Sequence, residues 1–378
     1  MTTSGLWDYS IYDAISGDFV CKLEPAKNRM KRKLNGIGDG ATTIPPQFEN
    51  RAQFREATTP WDRVVVKSRN RKVYDAQLIT KRGWNYTDEV LNVSHLSIRA
   101  VMASRHIWGT NAYSGHLFAD FALDLTNRSL AEMPAWIVWA AIGGPTANFD
   151  LPIHIPEGKI TFALINSLPV GGGHDRSWED FKAYYADDVL DEVSSDEGGP
   201  FIDFQAAIVD DKLRWNLRSG ALGSVLGTND PYAWVLDAPE PSLFNVSSTE
   251  DGIKRANIAH SIGEGSEHDM LVESASAAPV GVALERDDDY KDISDRSLLA
   301  SHARANLATF NKLTKQWEMS MKAWEYDGIE SMPLGSVHHL FHDVDHPWEG
   351  PDAIPVHVIG DETTDLDDVV LDVQPVGV

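Results

Sequence analysis

The chain has 378 residues, 42% of them apolar, with a single cysteine and a net charge of −24. These values exclude an internal disulfide and argue against a thiolate zinc site; no apolar run approaches the ~20 residues needed to cross a bilayer, and the opening residues lack the basic patch and apolar stretch of a secretory signal. Charge is unevenly divided: residues 1–110 hold 17 Lys and Arg against 11 Asp and Glu, a net of +6, and the remainder 16 against 46, a net of −30, so the later two-thirds repel nucleic acid and are not expected to bind it.

The first hundred residues read as short β-runs punctuated by Gly, Asn and Asp. Residues 6–13, 19–23, 61–66 and 71–79 carry such runs, several of them alternating apolar with polar. That pattern predicts a small antiparallel barrel or sandwich with half-buried strands. Cys21 alternates with Phe19 and Leu23 and is expected to be a small core residue. Lys27, Arg29, Lys31, Arg32 and Lys33 form a basic segment, read either as a charge-guarded strand edge or as a surface that docks an acidic protein ring. Asn35-Gly36 signals a hairpin, and residues 92–102 alternate like a closing strand.

A second region begins near Ser104. Leu117, Phe121 and Leu125 recur every four residues beside Phe118, predicting a helix within 114–127. Trp178, Phe181, Tyr185, Val189 and Val193 predict another, capped by Ser177. A strand over 201–209, a turn at 210–212 and a returning strand over 213–218 follow, making an α+β unit. The third region, 221–310, is acidic and turn-rich. Short strands are expected at 234–236, 243–246 and 270–272, then a helix over 294–311 with Ser294 or Asp295 as cap. The fourth alternates over 317–324 and has strands at 356–359 and 369–373, separated by acidic 360–368.

No complete catalytic motif is present. Gly171-Gly172-Gly173 lacks the Lys and Ser/Thr of a phosphate loop and is expected to be a flexible loop before a helix at Trp178. His338, His342, Asp343 and His346, with His339 and Asp345 nearby, could hold a divalent ion; the segment reads as a loop or short strand between prolines, so a polar loop or interface is the expected account. The runs Asp287-Asp288-Asp289 and Asp365, Asp367, Asp368 lack the spacing of a calcium loop and read as solvated turns. Paired carboxylates are inevitable with 57 acidic residues, so no glycosidase pair is inferred. Trp7, Trp61, Trp84, Trp108, Trp136 and Trp139 could stack on sugars, but packing in cores and interfaces is the expected role.

The opening resembles the start of minor tail proteins of long-tailed phages infecting actinobacteria. The order barrel, α+β, α+β, barrel resembles the tail-hub fold shared by long-tailed and contractile phages. The match rests on the strands at 61–66 and 73–79, the helix-hairpin at 178–218, the helix after Glu285 and the final Val-x-Leu-x-Val. The resemblance implies a β-rich α+β protein with two small antiparallel barrels, at 1–103 and 311–378, and α+β domains at 104–220 and 221–310. It further implies a non-enzymatic homotrimer at the virion's tail tip, without cofactor or membrane-spanning segment. Its partners would be the distal tail ring, tape measure, and tip or fibre proteins, and phage DNA would pass through it. Glycine is expected near Ala76-Gln77 in that family, which leaves a turn there open. Because the chain stops soon after its last strand, the bare structural core is expected. The alternative is a host cell-wall hydrolase or carbohydrate-binding protein, which would turn over or bind substrate as an isolated chain.

Overall fold

The computed structural model describes residues 7–46, 51–107, 122–142, 151–179, 182–221, 233–236, 243–278, 281–323, 329, 332–341, 353–364 and 368–376. The N-terminal region contributes β1 (Asp8–Asp13), β2 (Phe19–Leu23), β3 (Lys27–Lys33), β4 (Asp39–Ile44), α1 (Arg51–Ala57), β5 (Arg63–Arg69), β6 (Lys72–Asn85), β7 (Val90–Ser97) and α2 (Arg99–Met102). Then come β8 (Ala122–Arg128), α3 (Met133–Ile142), β9 (Ile153–Ile155), β10 (Gly158–Lys159), α4 (Phe162–Asn166), β11 (His174–Glu179), α5 (Ala186–Ser194), β12 (Phe201–Val209) and β13 (Lys212–Gly220). The next stretch supplies β14 (Ala233–Val235), β15 (Leu243–Asp251), β16 (Ile258–Ile262), β17 (Val272–Ser276), β18 (Glu285–Asp289) and α6 (Arg296–Phe310). Last are β19 (Thr314–Lys322), β20 (Val337–Phe341), β21 (Ile354–Thr364) and β22 (Asp368–Pro375).

Strands from the two ends of the chain share one sheet. Its order is β15-β19-β22-β21-β3-β4-β7-β6-β5-β1-β2, with β20 on β21 and β14 on β20. The junction is β21. Its first half pairs with β20, its second half with β3, and β22 runs along its other edge. Among the described residues the sheet does not close on itself: β2 and β15 are its terminal strands. Among the described residues neither of the two expected barrels is seen closed, and strands of both regions belong to one continuous sheet. β14 and β15, expected in a separate α+β unit, pair with C-terminal strands instead.

This sheet is buried on both faces at β5 and the first half of β6. Val64 and Val66 pack into one core with α3, α5 and the β12–β13 hairpin, while Val65 points into a second core with Trp317, Met319 and Met321. Two-sided burial explains the unbroken Val64-Val65-Val66 run, because a strand covered on both faces has no reason to alternate. α3, MPAWIVWAAI, is buried throughout, as a helix apolar all round must be. Among the described residues no helix is long and apolar enough to cross a membrane.

Several local expectations change. The helix expected within 114–127 is a strand where described: Leu123 and Leu125 alternate inward on β8, which pairs with β11, and residues 114–121 lie outside the described residues. Ser177 and Trp178 belong to β11, where Trp178 faces Leu123, so α5 begins only at Ala186 and Tyr185 takes the cap position. Residues 171–173 precede this strand and are held by Asn127 at the end of β8. The Gly171 and Gly172 amides donate to Asn127 O, and the Gly173 amide to Asn127 Oδ1. β7 ends at Ser97, and residues 99–102 are helical. Ala76-Gln77 sits mid-strand in β6, not in a turn. Of 270–272 only Val272 is in a strand, and β21 continues through 360–364 rather than ending before them. By contrast, the β3–β4 and β12–β13 hairpins, β14, β15, and α6 with Asp295 accepting from the Ser297 and Leu298 amides agree with the pattern.

Gly40 is among the glycines fixed by crowding. A Cβ on Gly40 would collide with the His95 ring and lie 2.5 Å from the Arg29 carbonyl oxygen. Gly40→Ala is expected to cost about 1–3 kcal/mol through overpacking, read as a lower denaturation midpoint.

Candidate assembly site

The basic segment is not an edge. β3 lies inside the sheet between β4 and β21, and its register sets Lys33 to Arg29 opposite Gly360 to Thr364. The acidic surface it meets is therefore the chain's own. Arg29 reaches Glu362 at 3.1 Å and also contacts Asp39, and Lys31 reaches Asp372 at 3.2 Å.

Arg32 is the buried centre of this seam. Its Nε donates to Asp361 Oδ1 at 2.8 Å, its Nη2 pairs with Asp361 Oδ2, and further bonds reach the Tyr74 and Met332 carbonyl oxygens at 3.2 Å. Tyr74 donates its hydroxyl to the same carboxylate at 2.6 Å, and the guanidinium lies 4.3 Å over the Tyr74 ring. Burial opposes the Arg32 charge, but Asp361 outweighs it and holds the guanidinium above its usual range. Burial, then Asp361, lifts Tyr74 well above the ordinary phenol. Nearby, burial raises Asp75 to about 6 against the pull of Arg32, and raises Asp203 on β12 in the same way. Lys67 adds a second tie, donating to Thr363 Oγ1 at 2.8 Å and Thr364 O at 2.7 Å, and sits 4.4 Å over the Trp7 ring.

A neutral hydrogen-bond chain lies beside these charges. Asn28 Nδ2 donates to Thr42 Oγ1 at 2.8 Å, which lies 2.9 Å from His95 Nε2, and His95 Nδ1 lies 2.6 Å from Gln77 Oε1. Gln77 Nε2 donates to Lys31 O and Asp75 Oδ2, so Oε1 must accept. His95 is therefore the Nδ1–H tautomer, accepting a hydrogen bond from the Thr42 hydroxyl at Nε2. Burial, then Arg29, lowers its pKa to about 3.

The histidine cluster is not assembled where it can be followed. β20 turns His338 inward, stacked 4.4 Å from the Trp234 ring with Nε2 at 2.7 Å from Ser336 Oγ, and alternation turns the neighbouring His339 the other way. The segment is a strand through Phe341, not a helix that would align His338 with His342. His342, Asp343, Asp345 and His346 lie outside the described residues. Among the described residues no group of three or more His, Cys, Asp or Glu could hold a metal ion. Asp287-Asp288-Asp289 lies in β18, not in a turn; Asp365 and Asp367 are outside the described residues, and Asp368 pairs with Lys322. Trp7, Trp136 and Trp139 are core residues, Trp61 and Trp84 are exposed, and Trp108 is not among the described residues. Cys21 is half-buried between exposed Phe19 and buried Leu23.

Among the described residues the large sheet leaves edges open at its two ends. β2 ends the sheet on one side with Phe19 51% and Val20 37% exposed; β15 ends it on the other, exposed over most of its length. An unpaired strand edge is a template for another chain.

No family model matches the chain, and no similarity to a curated protein sequence is found. Its fold is found in solved structures. The 43 kDa tail protein of prophage MuSo2 from Shewanella oneidensis is 9% identical with a TM-score of 0.59, over 97% of this chain and 98% of that one. A tail protein from Neisseria meningitidis is also 9% identical with a TM-score of 0.59, over 99% and 98%. A chain of the lidless PdpA–VgrG complex is 8% identical with a TM-score of 0.50, over 98% of this chain and 64% of that one. The chain thus has, along nearly its whole length, the fold of phage tail proteins.

Proposed function

We propose that the chain is a structural subunit of a phage tail, three copies of which close a ring that forms the hub between the tail tube and the tip. The end-to-end fold likeness to two tail proteins carries the tail role. The open sheet supports the ring. Joining β2 of one copy to β15 of the next is a head-to-tail contact, and such contacts close when the rotation does. The threefold order, tip position and neighbours (distal tail ring, tape measure, tip or fibre proteins) follow the resemblance, as does an actinobacterial host. Part of the −30 excess after residue 110 would line the bore, where basic side chains would hold passing DNA. No catalytic step is assigned.

Cryo-electron microscopy of the assembled particle, with the mass of the purified protein in solution, tests this. The expected result is a threefold ring with β2–β15 pairing, lost in a Phe19→Lys variant that still folds, and a bore denser in Asp and Glu than the outer wall. A monomeric peripheral decoration, or cell-wall degradation abolished by one carboxylate substitution, overturns it.

A further inference from the structure

The small sheet β17-β16-β18 carries α6 on one face. Its terminal strand β18 reads Glu-Arg-Asp-Asp-Asp. The two inward residues are satisfied: Arg286 donates to Asp288 through Nε and Nη2 at 2.7 and 2.6 Å and covers the Phe310 ring at 3.9 Å, while Asn306 donates to Asp288. Glu285, Asp287 and Asp289 alternate onto the other face and are exposed, with Lys291 3.3 Å from Asp289.

The backbone register adds a second fact. The Ile258 amide donates to Leu284 O, and the Tyr290 amide to Ile262 O. Even-numbered residues of β18 therefore bond to β16. A strand residue's N–H and C=O point to one side and alternate along the chain, so those of Glu285, Asp287 and Asp289 point out of the edge of β18 that no strand among the described residues occupies. Each acidic side chain thus flanks a donor and an acceptor that await a strand. Beside them on the same face lie half-buried Ile258 and Ile262 and exposed Val272.

We propose that this edge receives an extended, basic segment of another polypeptide, with Lys or Arg at alternate positions, as a fourth strand. The occupant follows from charge. A second copy of β18 would set carboxylate against carboxylate, and like charges directly opposite are destabilising. The basic strand of this chain, β3, is already held by β21. That internal seam is also the pattern: Arg29 with Glu362 and Arg32 with Asp361 show an acidic strand met by a basic one. Main-chain bonds would supply affinity and alternate side chains specificity. The proposal stands whether or not the ring forms.

The test uses the full chain and a labelled synthetic peptide alternating Lys and Val, read by fluorescence anisotropy. Its controls are a Glu–Val peptide and a Lys–Val peptide of equal charge with backbone nitrogens methylated on one edge. Binding to the Lys–Val peptide is expected to fall about tenfold in Asp287→Lys, the scale of one or two cross-strand charge pairs. The methylated peptide should bind at least as poorly, and the amides of residues 285, 287 and 289 should gain protection from exchange. Asp287→Asn, which removes charge without reversing it, should fall between. Equal binding of the methylated peptide would reduce the effect to general attraction by an acidic protein and overturn the proposal. So would unchanged binding to Asp287→Lys, or self-association of the chain that Asp287→Lys abolishes.

Discussion

An Arg32→Met chain should be less stable than the parent by about 3–5 kcal/mol in equilibrium denaturation, because removing one partner of a buried ion pair strands the other. Asp361 is wholly buried, and without Arg32 it keeps only the Tyr74 hydroxyl as a strong partner. Replacing both residues, Arg32→Met with Asp361→Leu, should recover much of the loss, since a buried pair replaced by apolar groups is often neutral. The loss should appear as joint melting of N- and C-terminal strands, followed by hydrogen exchange at β3 and β21. A loss under about 1 kcal/mol, the range of a surface pair, would mean that the seam is not held through Arg32.

Acid should weaken the fold through its buried histidines. Burial lowers His338 and His357 to about 4, and burial followed by Arg29 lowers His95 to about 3. All three lie below the unfolded value of about 6.5. The unfolded chain therefore binds their protons first, and stability present above pH 6.5 drains away as pH falls towards 4. Linkage gives about 2 kcal/mol lost per histidine at pH 5. Asp75, raised to about 6, works the other way and returns about 1 kcal/mol over the same interval; Asp191, Glu192 and Asp203, also raised by burial, share its sign. The net expectation is a fall of a few kcal/mol between pH 7 and 5. His95→Gln should be less stable at pH 7, because it breaks the Thr42–Gln77 relay, yet its curve should be shallower by about 2 kcal/mol between pH 7 and 5. Parallel curves for parent and variant would show that His95 is not a neutral buried group.

Local signals were legible where the answer was local. Asp210 and Asp211 adopt positive φ (52° and 60°) in the turn that the sequence marks between β12 and β13. Asp295 caps α6 because its short carboxylate reaches two free amides. The errors arise where two periods coincide. Leu117, Phe121 and Leu125 are four apart, which suits a helix and also falls on one side of a strand. For residues 122–128 the Leu123–Leu125 alternation and the pairing of β8 with β11 decide for a strand. Trp178 sits at helical spacing from Val189 by accident of a strand ending just before α5. α3 was readable as an apolar run over 133–142, but such a run lacks the period that distinguishes helix from buried strand. The seam was not readable at all. Nothing periodic in 27–33 names 360–364 as its partner, so basic charge in that segment that looked like a message to other proteins is met by the chain's own carboxylates at Arg29, Lys31 and Arg32.

The seam also sets a clock. Arg32 and Asp361 are separated by 329 positions. At about 5–20 residues per second of synthesis, β3 exists for roughly 15 to 65 s before β21 emerges. Throughout that interval one side of β3 is a bare strand, the feature most open to misjoining with a neighbour on the same messenger. Its Arg29, Lys31 and Arg32 repel other nascent copies of itself, as charges on exposed edges do. The residues that later lock the two ends of the chain together thus carry like charge while that side of the strand is bare, and the seam can close only when translation has passed Thr364.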